Sequence, residues 1–145
     1  MKMARGEWFD HTGDAGLRVR AATLPDLLVA CGTYMMRSIC PTGEIRSRTT
    51  RQVAVEGHDL VELLVHWLNE INTLGSLNHE LYLDFKITLL DLEGAPPHHL
   101  EGVVRGEPID PERHHLEREI KAVTYHAADV WKEGAGWGAQ VIFDL

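Results

Sequence analysis

Leu60, Leu63, Leu64, Trp67, Leu68, Ile71 and Leu74 recur three and four residues apart, and no other feature restricts the fold as much. On a helix of 3.6 residues per turn they form one wide apolar stripe. A stripe that broad, with a tryptophan in it, must be covered, so the segment reads as a central buried helix. Asp59-Leu60-Val61-Glu62 supplies its start, with Asp59 as the cap and Glu62 reaching back. Gly75 reads as its end.

A second helix begins at Thr23-Leu24-Pro25-Asp26, where Thr23 caps and Pro25 fits the first turn. Leu24, Leu27, Leu28, Cys31, Met35 and Ile39 continue it, and Pro41 and Gly43 end it. Elsewhere the period is two. Leu17–Ala21, Ile45–Val55, Leu81–Leu89, Ile120–Val130 and Gln140–Leu145 alternate or are β-branched, as strands do. Leu100–Gly106 reads as a further strand weakened by its glycines. Asp110-Pro111-Glu112 opens a short helix through His115, the alternative being that it continues to Val123 in place of the strand start, and Gly134, Gly136 and Gly138 make a hairpin-like loop around Trp137. The expected fold class is α+β: mostly antiparallel sheet with two main helices packed on one face. A chain of 145 residues suits a single domain, with residues 1–7 as a loose N-terminal extension.

Fourteen basic against twenty-two acidic side chains give a net charge of −8. Nucleic-acid binding draws on neutralised phosphates, so direct binding of RNA or DNA is not expected. A cation, or a partner protein with a basic surface, suits this charge better. No apolar run approaches the roughly 18 residues that span a bilayer. Cys31 and Cys40 read as buried or free thiols of a reducing cytoplasm.

Trp8-Phe9-Asp10-His11-Thr12-Gly13-Asp14-Ala15-Gly16 concentrates polar chemistry at a turn. Its aspartate either caps its own backbone or forms a site. Asp144 and Leu145 close the last strand. If that end lies near Asp14, several hard oxygen donors converge, as calcium or, in a tighter octahedron, magnesium requires; otherwise Asp144 only keeps a strand end soluble. Lys121 stands between apolar neighbours, with Thr124 and His126 on the other parity. It reads as a solvated or edge-guarding lysine, or as a partner of acidic groups near the site. Among nine histidines, His11 stands out because it sits beside Asp10 and Asp14. No HExxH, paired CxxC, GxSxG or phosphate loop is present. A metal-dependent hydrolase using Asp14 and His11 is the competing enzymatic reading.

Five blocks carry a family likeness: His11–Leu17, Leu63–Glu70, Gly106-Glu107, Ile120–His126 and Val141–Leu145. In that order, over nearly the whole chain, they resemble the archease family. Gly13 departs from it, since alanine is commoner there, and the residues before Trp8 have no clear counterpart. The resemblance implies a small α+β protein, not itself an enzyme, that binds a divalent cation, with calcium expected. Its metal ligands fall on Asp14, Asp144 and the main chain of Leu145. Lys121 falls in the most recognisable late motif and is expected to matter for activity, with His11, Thr124, His126 and Glu107 as further partner-facing positions. Such proteins promote guanylylation and turnover of RtcB-type RNA ligases in tRNA splicing and RNA repair. Some are described as chaperones of a tRNA methyltransferase.

Overall fold

A computed structural model describes residues 4–11, 13–42 and 44–145. Thr12 of the opening turn and Gly43 after the first helix lie outside the described residues, as do residues 1–3. The chain runs β1 (Arg5–His11), β2 (Asp14–Ala21), α1 (Leu24–Ile39), β3 (Thr49–Gly57), α2 (Leu60–Asn78), β4 (Glu80–Asp91), β5 (His98–Pro108), β6 (Ala122–Glu133) and β7 (Gly136–Asp144). Two antiparallel sheets result, ordered β1-β2-β7-β6 and β3-β5-β4. Both helices contact strands of both sheets, so each sheet turns one face to a shared helical layer.

The expected caps form. Thr23 Oγ1 accepts the Asp26 N–H at 3.2 Å, and Asp59 Oδ1 accepts the Glu62 N–H at 2.9 Å. Trp67 is wholly buried and donates its indole N–H to the Leu28 carbonyl at 3.0 Å, tying α2 to α1. On its other side, a Cβ at Gly102 would stand 2.7 Å from the Trp67 ring. The β5 glycine that weakens a strand by propensity is thus what lets the central tryptophan seat against the sheet.

Five boundaries differ from expectation, most for a local reason. Trp137 is not in a loop: β7 begins at Gly136, and Trp137 pairs with Lys132 and Ala21. Gly75 does not end α2, which continues to Asn78 and is capped by left-handed His79, whose N–H donates to the Gly75 carbonyl. Glycine suits position 75 because a Cβ there would lie 3.0 Å from the Glu80 carbonyl oxygen, a tight contact. Ile45–Arg48 are not strand: the Arg46 N–H is taken by the Glu107 carboxylate, and the Glu44 carbonyl by Arg113 and His114. Asp110–His115 makes only a turn, in which His114 Nδ1 accepts the Asp110 N–H and the Asp110 carboxylate accepts the Glu112 N–H. Finally, Arg5, Gly6 and Glu7 are no loose extension. They pair with Arg20, Val19 and Arg18 on β2, and the Gly6 N–H donates to the Tyr34 hydroxyl on α1.

Candidate functional site

The β1–β2 hairpin sets His11 opposite Asp14, and β2 pairs with β7 through Ala15 and Phe143. The paired register ends there, with Asp14 the first residue of β2 and Asp144 the last of β7, so the two flank the same end of the ladder. Directly opposed residues on an antiparallel pair share a face. Leu17, Val19, Ala139, Val141 and Phe143 fill the core face. His11, Asp14 and Asp144 therefore share the other face, with exposed Arg18 and half-buried Gln140. Two aspartates from opposite ends of the chain thus come to one end of the sheet.

Neighbouring groups complete the cluster. His11 Nδ1 lies 3.7 Å from Asp14 Oδ2, beyond hydrogen-bond reach, and it is buried without a partner. The His126 ring, on β6, packs against His11 with centroids 5.4 Å apart. Thr124 Oγ1 donates to the Ile142 carbonyl at 3.3 Å, which fixes its hydroxyl on the same sheet. Lys121 precedes β6, and its main-chain N–H donates to the Asp144 carbonyl at 2.8 Å. The Asp144 main-chain oxygen is thus already engaged. Leu145 follows it at the rim, partly exposed.

Oxygen donors of this kind fit a hard divalent cation better than a soft one. Among the described residues, no group of three or more His, Cys, Asp or Glu side chains is gathered closely enough to hold a metal unaided. Main-chain, solvent or partner oxygens would complete any coordination shell here.

Glu107 does not join this cluster. It is buried on the three-stranded sheet, where its carboxylate pairs with Arg113 at 2.5 Å, accepts the Arg46 N–H at 2.6 Å and lies 3.3 Å from His114 Nε2. The Arg113 guanidinium, with the Arg46 N–H, pulls its carboxyl down to about 2. Glu107 is a structural anchor for the segments on either side of it, and its expected partner-facing role is corrected accordingly. Glu80 behaves alike: Arg51 first, and Tyr82 after it, holds its carboxyl below the ordinary range. Burial raises the Cys31 thiol to about 12, so it is inert.

Two cavities lie elsewhere. One of about 540 Å³ opens among Met36, Ile71, Asn72, His79, Arg118 and Ile120, and a smaller one among Trp8, Phe9, Asp10, Ala15 and Arg118. Neither of these two is lined by His11, Asp14 or Asp144. No described helix is long and apolar enough to cross a membrane.

Sequence reasoning missed three side chains of α2. Asn69 bonds both the N–H and the carbonyl of Val123, Asn72 donates to the Ile120 carbonyl, and His66 bonds Tyr125. Their spacing of three residues, on the flank of the apolar stripe, was the available signal.

Comparison with known proteins agrees with this architecture. A family model described as the Archease protein family (MTH1598/TM1083) matches residues 7–145. A protein archease from Methanopyrus kandleri is 39% identical over 139 residues, covering 96% of this chain and 98% of its own. One from Pyrococcus abyssi is 31% identical over 144 residues, covering 99% and 100%. The solution structure of Methanobacterium thermoautotrophicum protein 1598 superposes with a TM-score of 0.83 at 30% identity, covering 97% of this chain and 98% of that one. A Thermotoga maritima crystal structure, described as an archease and possible chaperone, shares the fold at a TM-score of 0.58 and 18% identity over 94% of both chains. The chain belongs to the archease protein family.

Proposed function

We propose that this protein is a metal-binding activator that promotes guanylylation and turnover of an RtcB-type RNA ligase in tRNA splicing or RNA repair. One observation supports the reading: β2 begins at Asp14 and β7 ends at Asp144 beside the paired Ala15 and Phe143, so both carboxylates belong to the same end of one sheet. Family membership and the −8 net charge support it. Both carboxylates would hold the cation, calcium or another hard divalent ion, with the main chain of Leu145 adding an oxygen. The bound ion supplies positive charge at an otherwise acidic tip. The Lys121–Asp144 main-chain bond keeps Asp144 in register with Asp14. The chain's net charge of −8 favours a basic partner, and RNA is engaged by that partner alone.

The test is to incubate the ligase of the same cell with GTP and divalent metal, with and without this protein. Faster ligase guanylylation and multiple turnovers are expected; identical time courses overturn the reading. A second reading is a chaperone-like partner of a tRNA methyltransferase; its chaperone part alone is shared with the Thermotoga relative, described as a possible chaperone. It requires partner solubility to change while ligase chemistry does not.

A further inference from the structure

β6 lies at one edge of its sheet, where main-chain groups on the outer side lack a strand partner. Helix α2 supplies the partners. His66, Asn69 and Asn72 recur every three residues along it, and all three engage the segment from Ile120 to Tyr125. Asn69 offers Val123 an acceptor at 2.8 Å and a donor at 2.9 Å, as a neighbouring strand would.

His66 does something different, because it bonds a side chain. Its Nδ1 lies 2.5 Å from the Glu56 carbonyl, which only accepts, so Nδ1 carries the proton of the neutral ring. Nε2 is then the acceptor, and the Tyr125 hydroxyl donates to it at 2.5 Å. The two rings meet edge-on at 88°. Immediately beyond, β6 leaves the ladder. Thr124 pairs with Ile142 and Asp129 with Gln140, so the four residues 125–128 oppose Val141 alone. Ala127 takes a left-handed φ of 55°, and its carbonyl accepts from Gln140 Nε2 at 2.9 Å. His126 sits between these two anchors, and its ring packs on His11. Bulges re-aim side chains in this way beside functional sites.

We propose that His66 and Tyr125 are positioning residues of the Asp14–Asp144 site: their hydrogen bond fixes the β6 bulge and so holds His126 against His11. This rests on the reading of that sheet end as the working surface. His11 Nδ1 is buried, unpartnered and only 3.7 Å from Asp14. A small rotation of the ring would let it pair with Asp14 and occupy a carboxylate oxygen that a cation needs. The packed His126 ring resists that rotation, and the Tyr125 bond keeps His126 in place.

The test uses the metal-free full chain. Tyr125→Phe deletes one oxygen from a residue that is 57% exposed, so folding is retained. Cross-ring nuclear Overhauser contacts between His11 and His126 are recorded in the wild type, Tyr125→Phe, His66→Ala and His66→Gln, and calcium titrations follow by calorimetry. The contact is expected to vanish in Tyr125→Phe and His66→Ala. It should return in His66→Gln, which keeps an acceptor and a donor. Where the contact is lost, calcium binding should weaken about fivefold, the scale of one hydrogen bond. A contact that persists in both Tyr125→Phe and His66→Ala overturns the proposal. A wild type that fails to stimulate the ligase overturns the activator reading and leaves the ring-contact result standing.

Discussion

The main-chain N–H of Lys121 donates to the carbonyl of Asp144 across 2.8 Å, joining the start of β6 to the last residue of β7. The bond involves no Lys121 side-chain atom, and the residue is exposed. Its ammonium is thus free for a partner while its backbone holds an aspartate in place.

Substitutions at this end should separate two functions. Asp14→Ala and Asp144→Ala are each expected to weaken calcium binding at least tenfold, the loss of a charged ligand, with an unchanged melting temperature. Lys121→Ala keeps the backbone bond, so it should preserve calcium affinity and reduce ligase guanylylation. Calorimetry on the three variants, beside a guanylylation time course, checks both halves. Equal loss of affinity and activation in Lys121→Ala would make the lysine a support for the cation instead.

Glu107 gives a pH-dependent contribution to stability. Arg113 and the Arg46 N–H lower its carboxyl from 4.5 to about 2. The folded state keeps this group ionised where the unfolded chain takes up a proton. Its stabilisation is complete above about pH 4.5 and is lost as pH falls toward 2. A shift of that size corresponds to about 3 kcal/mol at neutral pH. Urea unfolding at pH 7 and pH 3 should show Glu107→Gln well below the wild type at pH 7 and much closer at pH 3. A gap that does not narrow would assign the cost to packing.

Gly102 should tolerate no side chain. A Cβ there would stand 2.6 Å from the Lys86 carbonyl oxygen and 2.7 Å from the Trp67 ring. Gly102→Ala is expected to cost about 1–3 kcal/mol, the scale of overpacking. Urea titration followed by circular dichroism measures it; a neutral result would mean that Trp67 has room to move.

The helices were legible because their signals are local. The Leu60–Leu74 stripe, the Thr23 and Asp59 caps and the Cys31–Met35 spacing lie within a few turns of each other, and both helices formed where these predict. Strand existence was equally plain from alternation at Leu17–Ala21 and Leu81–Leu89. Gly75 misled because glycine also serves close approach, and the approaching Glu80 carbonyl lies just beyond the helix on the next strand. Glu107 misled because a carboxylate shows its partners only once Arg46, Arg113 and His114 have converged on it.

By itself, the sequence determined the two helices with their amphipathic faces, most of the strands and the acidic residues at each end of the chain, because periodicity and capping act over a few residues. Only the tertiary structure decided that β2 pairs with β7 in the register that sets Ala15 against Phe143 and brings Asp14 and Asp144 to one end of the sheet, and that His126 of the β6 bulge packs on His11. Strand register depends on which faces are buried together across the whole molecule, and a slip of one residue would send those side chains to opposite faces.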